Sequence, residues 1–206
     1  MTPELLVVGV DLAGVPHRPT GMCVLENGNA QTMLAHTDDE ILGIVDREKP
    51  SLVTVDAPLT LPPGRNSIHQ RNGQHFRLCD LELRRRKIPF FPITLGPMRV
   101  LTERGIELKN ALVNKNIQVV EIYPGGAQDI WGIPRVKHDV QGLRQGLRRL
   151  GVKGLTDDCS GHELDAATAA LVGCLYLEGK AEIYGDFATG AIIMPIADGK
   201  AVRGRG

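Results

Sequence analysis

The run LLVVGVDLAG, Leu5–Gly14, decides the fold. Six of the seven residues from Leu5 to Asp11 are apolar or glycine, which suits a central strand covered on both faces. The run ends by delivering a carboxylate, Asp11, and Gly14 follows where the chain can turn. An ionised Asp at the end of a buried strand is costly unless something shares its charge. The rest of the chain is read for what meets Asp11.

Thr20–Glu26 (TGMCVLE) reads as a second strand, Asn27-Gly28 as a hairpin turn, and Ala30–His36 as the returning strand. Thr37-Asp38-Asp39-Glu40 has the capping-box spacing, and Ile41, Leu42, Ile44 and Val45 recur at helical intervals until Pro50 ends the helix. Ser51–Asp56 (SLVTVD) is a fourth strand, again apolar and again ending in a carboxylate. Phe76–Lys87 reads as helical with Leu78, Leu81 and Leu83 inward. Pro97–Asn114 reads as a long helix burying Val100, Leu101, Leu108, Ala111 and Leu112. Ile117–Tyr123 (IQVVEIY) is a fifth strand carrying Glu121, stopped by Pro124-Gly125-Gly126.

Asp139–Leu150 is helical by Val140, Leu143, Leu147 and Leu150, although Gly142 and Gly146 each cost about 1 kcal/mol against Ala. Ser160-Gly161-His162-Glu163 is a second capping box. It starts an Ala-rich helix to about Glu178, apolar nearly all round, as a helix lying flat on a sheet would be. Two short strands near Ala181–Tyr184 and Ala191–Met194 close the chain, and the Arg203–Gly206 tail is expected to fray. Three antiparallel strands, a helix, then strands alternating with helices make an α/β fold with a mixed sheet. Short right-handed connections place the first strand centrally, beside the fourth.

The 206 residues contain no Gly-, Ser- or Pro-rich linker and no repeat, so a single domain is expected, with a helical insertion over roughly 64–115. Basic and acidic residues balance at 24 each, which leaves only local patches to attract nucleic acid. Cys23, Cys79, Cys159 and Cys174 form no C-x-x-C pair and read as reduced thiols rather than a zinc site. The N-terminal apolar run is too short and lacks the basic leader of a signal peptide, and no stretch approaches the roughly 20 residues of a membrane span. The expectation is a soluble, cytoplasmic protein with no membrane partner. A homodimer is left open.

If the first and fourth strands are adjacent and parallel, about 4.8 Å apart, Asp11 and Asp56 crowd one sheet edge, where ligands of open α/β sheets bind. Like charges that close require either a proton or a shared cation. Glu121 on the fifth strand joins them. Asp165, inside the flat apolar helix, is a fourth acid, and His162 lies one turn earlier on the same face. The alternative is that each acid merely caps a turn or serves a helix dipole. Four carboxylates suit Mg²⁺ or Mn²⁺, which take oxygen ligands. Two such ions about 4 Å apart serve in-line attack of water on a phosphodiester. Arg84, Arg85, Arg86 and Lys87 form one basic cluster, and Arg144, Arg148 and Arg149 another; either contacts phosphates or is a solvated helix face. Arg65 and Arg77, in or near the loop after Asp56, are placed to reach substrate. Aromatics make up only 4%, too few for extensive base stacking.

These residues also form a pattern. GVDLAG at Gly9–Gly14, VDAPLTLP at Val55–Pro62, RLCDLELR at Arg77–Arg84, LTERG at Leu101–Gly105, EIYPGGA at Glu121–Ala127 and HELDAATAA at His162–Ala170 follow in order almost to the C-terminus. In this the chain resembles the domain-of-unknown-function family 429, predicted nucleases with a ribonuclease H-like fold. The resemblance implies a five-stranded sheet in the order 3-2-1-4-5 with metal-binding Asp11, Asp56 and Asp165 at its centre. The His-x-x-Asp looks like that of Holliday-junction resolvases of the same superfamily. The usual ribonuclease H acid on the first long helix has no good counterpart, since Glu40 and Glu48 lie near the helix ends; Glu121 is the substitute.

The leading expectation is a metal-dependent nuclease with Asp11, Asp56, Glu121, His162 and Asp165 in its site. One rival is a phosphoryl-transfer enzyme of the actin or sugar-kinase type, a fold that normally repeats its core. The other is a non-catalytic nucleic-acid or protein binding module on the same fold.

Overall fold

The computed structural model describes residues 5–15 and 17–197; the Arg203–Gly206 tail lies outside them. The LVVGVD run forms β1 (Leu6–Asp11), with every residue between its ends buried. β2 (Thr20–Glu26) and β3 (Asn29–Ala35) turn back on it as an antiparallel meander, Gly9 opposite Cys23 and Cys23 opposite Thr32. Asn27 and Gly28 supply the two positive φ angles, 49° and 80°, that a tight hairpin requires. α1 (Asp38–Glu48) then starts as the capping pattern predicts: the Thr37 hydroxyl accepts from the Glu40 amide at 3.1 Å. The Glu40 carboxylate, however, reaches past the cap to the His36 amide.

β4 (Leu52–Val55) pairs in parallel with β1, Val8 beside Val53 and Val10 beside Val55. β5 (Val119–Ile122) pairs in parallel with β4. Between them run a loop-rich stretch, α2 (Leu78–Arg85) and α3 (Gly96–Asn114). After β5 come α4 (Pro124–Trp131), α5 (Val140–Arg149), α6 (Gly161–Leu177), and the hairpin β6 (Ala181–Asp186) and β7 (Gly190–Pro195). The sheet has seven strands in the order β3-β2-β1-β4-β5-β7-β6. The order 3-2-1-4-5 is therefore present, and β7 and β6 extend it beyond five strands.

Strand alternation sends the side chains of this sheet into two cores. Val7, Leu52, Val120 and Ile122 pack under α6 and α5. Val8, Val10, Val53 and Val55 pack on the other face against Ile41 and Val45 of α1 and Leu108 and Leu112 of α3. A smaller cluster, Cys79, Leu83, Tyr184, Ile192 and Met194, seats α2 on the β6–β7 hairpin. α6 lies so close to the sheet that a Cβ at Gly9 would stand 2.1 Å from the Ala166 carbonyl oxygen, and one at Gly21 the same distance from that of His162. The Ala-rich sequence of α6 completes this fit, because small side chains let the two backbones approach.

Three expectations change. Pro124-Gly125-Gly126 opens α4 instead of a loop; Pro occupies the first turn, where its missing N–H costs nothing, and a Cβ at Gly126 would press on Met194 and Tyr123. In α2, Leu78 and Leu81 face solvent while Cys79, Asp80 and Leu83 are buried, because an ion-pair network described below turns the helix. In α3, Val100 is exposed, and Thr102 and Gly105 join Leu108 and Leu112 inside. Gly146 of α5 earns its place: a Cβ there would meet Ile133 at 2.7 Å.

Candidate active site

Parity along the strands brings two acids to one place. Val7 and Gly9 of β1 face α6, so Asp11, two residues on, does too. Leu52 and Thr54 of β4 face α6, and so does Asp56, whose amide donates to the Val10 carbonyl at 2.8 Å. The N-terminal turn of α6 completes the group from above. Ser160 and Glu163 close their capping box, which fixes the start of the helix. His162 Nδ1 then lies 2.6 Å from Asp11 Oδ2. Asp165, one turn later, accepts a 2.6 Å hydrogen bond from Gln128 Nε2 of α4. Gln128 is almost fully buried and also donates to Thr168 at 3.2 Å, so two helices brace the Asp165 carboxylate.

Negative charge accumulates here, eased only in part by His162 at Asp11 and Gln128 at Asp165. Burial, then the charges of Asp11, Asp165 and Glu121, push the Asp56 carboxyl well above its ordinary range. Burial and the charge of Asp11 push Asp165 to about 7, against the hydrogen bond from Gln128. The hydrogen bond to Asp11 raises His162. Asp56 accepts no hydrogen bond from the described residues. The folded state thus holds protons that the unfolded chain releases near its ordinary carboxylate pKa. The ion-free protein should lose stability as pH rises from about 4 toward about 7, then level off. Asp165→Asn keeps the bond from Gln128 and removes a charge. It should flatten that decline and stabilise the ion-free protein at neutral pH by roughly 1–2 kcal/mol. Melting curves against pH in EDTA check this; a destabilised mutant would make Asp165 a helix-capping acid.

A family model described as "Protein of unknown function (DUF429)" matches residues 9–189, nearly the whole chain. The chain belongs to this family. No curated protein matches it. Among solved structures, the Thermus thermophilus RuvC structure is similar at 14% identity and a TM-score of 0.46, covering 84% of this chain and 96% of that one.

Not every expected residue of this DUF429 chain joins the site. Glu121 pairs in register with Val55, so it points to the face opposite Asp56, and it is occupied there. Its two oxygens take bonds from Arg77 at 2.7 and 2.8 Å, and one also accepts from the Leu59 amide at 2.9 Å. That corrects its expected place among the metal ligands. Arg77 is corrected with it. It is buried and gives its remaining donors to Asp80 and Thr60, so it has no donor free for a substrate phosphate. Arg65 is likewise buried, donating to the carbonyls of Ile68 and Gln74 and shaping its own loop.

Arg84 and Arg85 are exposed, as a phosphate contact requires, but Arg85 pairs with Glu82 and Arg84 stacks on Phe76. Arg144 and Arg148 hold the 155–159 segment through Asp157 and the Leu155 and Cys159 carbonyls instead of forming a free basic face. Gln128 was hidden from sequence reading because its helix begins Pro-Gly-Gly. The sequence signal was a single amide, Gln128, next to Asp129 in the stretch after two glycines.

Among the described residues no three His, Cys, Asp or Glu side chains stand arranged as a metal site. The donor set nonetheless suits a hard cation: Asp11, Asp56 and Asp165 supply oxygen, mutually repelling, with Asp56 unpaired. The nearby Arg77 is committed to Glu121 and Asp80 on the other face.

Proposed function

We propose that this chain is a divalent-metal-dependent nuclease that hydrolyses phosphodiester bonds in nucleic acid. The observation that carries the reading is Asp56: a half-buried carboxylate whose neighbours Asp11 and Asp165 push its pKa up, with no donor of its own among the described residues. A group in this position favours ionisation when a cation shares the charge of the three acids. Asp11, Asp56 and Asp165 would hold Mg²⁺ or Mn²⁺, drawing together to do so. Such an ion, when bound, would lower the pKa of a water toward neutral and help offset charge at the phosphorus. The chain's own residues do the rest. Gln128 holds Asp165 in the orientation it has here. His162, anchored through Nδ1 to Asp11, keeps Nε2 free of described partners and can move a proton there at the leaving or attacking oxygen. No helix among the described residues is long and apolar enough to cross a membrane, which fits a cytoplasmic nucleic-acid enzyme.

The test is a mixed panel of branched, duplex and single-stranded DNA and RNA, incubated with Mn²⁺, with Mg²⁺ and with EDTA. Cleavage that EDTA abolishes is expected. Binding with no cleavage under any condition would replace the reading with the non-catalytic binding module.

Arg84 and Lys87 supply the phosphate contacts on this reading, since both are exposed and border one cavity with Phe76 and Phe90. Arg84→Ala with Lys87→Ala should weaken nucleic-acid binding and flatten its log–log salt slope by about two units, leaving Mn²⁺ affinity alone. An unchanged slope would make the run a solvated helix face.

A further inference from the structure

A cavity of about 200 Å³ opens on the other side of Asp56. Its walls are mostly apolar, among them Leu83, Ile93, Met98, Leu101 and Ile122, with Phe90, Phe91 and Tyr123. The volume lies below the roughly 300–1,000 Å³ of sites for drug-sized molecules. It suits one planar ring system without its sugar or phosphate. Of the charged groups in the wall, Arg77 gives its donors to Glu121, Asp80 and Thr60, and Asp56 alone is left unpaired. No free cation is left among them to take an anion, so the cavity selects an uncharged ring.

The aromatic residues make the same point. Phenylalanine occurs four times in the chain, and three of the four gather here. Phe91 lines the cavity and is 73% exposed, the most exposed large apolar residue described. Phe90 lines it too and packs edge-on against Phe76 at 6.1 Å. Phe90 is also shared with the adjoining cavity bordered by Arg84 and Lys87. Two adjoining cavities that share Phe90 therefore lead from those cations, past the aromatics, to Asp56.

We propose that this cavity receives one unpaired nucleobase of the substrate strand, next to the phosphate that is cut, with Phe91 stacking at its mouth. The inference rests on the nuclease reading for the position of the cut, but base capture itself does not require cleavage. A base within a duplex cannot enter without leaving its stack, so the substrates are strands with an unpaired base beside the cleavage point. With mostly apolar walls and a single unpaired carboxylate, Asp56, the pocket demands a ring and discriminates little between rings.

The test uses DNA duplexes carrying 2-aminopurine either unpaired or paired, bound with Ca²⁺ in place of Mn²⁺. The unpaired probe should change its emission on binding and the paired probe should not. Phe91→Ala, at an exposed position that spares the core, should weaken binding of the unpaired probe roughly ten- to a hundredfold, and Phe91→Trp should restore it. Met98→Trp, which fills the cavity, should abolish the emission change while salt-dependent binding persists. An unpaired probe that stays silent with the wild type, or one that Phe91→Ala and Met98→Trp leave unaltered, overturns the inference even if cleavage is observed. Emission changes as described in a protein that cuts nothing would uphold the base site and sink the nuclease reading instead.

Discussion

Asp11→Asn and Asp56→Asn should each abolish divalent-dependent hydrolysis while leaving a folded protein. Each carboxylate ends or follows a buried strand on the α6 face; Asp56 has no partner to lose, and an Asn at position 11 keeps an oxygen that can accept from His162. Converting it to an amide relieves charge repulsion, so neither mutant should unfold. The loss should exceed the 10²–10⁴-fold typical of a missing general acid or base, since the ion's own attachment is lost. Initial rates on whichever substrate the wild type cuts, together with Mn²⁺ titration by calorimetry, decide it. Full activity with unchanged ion affinity in either mutant would move the site elsewhere. His162→Gln offers a contrast, because it disturbs proton handling and the orientation of Asp11 but leaves three acids, and should fall within that lower range.

Arg77→Ala should produce the largest loss of stability of any single change discussed. The guanidinium is 2% exposed and bridges Asp80 and Glu121, which are also buried. Truncation strands two acids in the interior, a situation that costs about 3–5 kcal/mol, or a fall in melting temperature of roughly 6–20 °C for a domain of this size. Urea midpoints give the figure. A stable Arg77→Ala protein that had merely lost nucleic-acid affinity would restore this arginine to the substrate surface. Glu121→Gln separates the same two ideas from the other end: it should lose stability while binding Mn²⁺ like the wild type.

The difference between what was legible and what was not follows from the range of the interactions. β1, β2, the Asn27-Gly28 hairpin, α1 with its Thr37 cap and α6 with its Ser160 cap are written in local chemistry, and each lies within a residue or so of its expected place. The meeting of Asp11 with Asp56 and Asp165 also follows, since strand ends and a flat helix are local features and the short connections do the rest. Glu121 misled because its side of the sheet depends on the register of β5 against β4, which nothing local fixes. Arg77 misled because an arginine in a polar loop looks solvated until its two acids are found, one three residues away and one 44. Gln128 escaped because Gly125 and Gly126 mark a turn by composition and a tight helix contact in fact.

The close seating of α6 on β1 also fixes when the site can exist during synthesis. Asp11 and Asp56 emerge early from the ribosome, while His162 and Asp165 arrive more than a hundred residues later, on a helix that contributes the last acid. Until α6 docks over Gly9 and Gly21, the sheet edge holds two acids and no histidine. A chain not yet extended past Asp165 therefore carries only part of this side-chain cluster, and the full set comes together only when α6 has been made and docked.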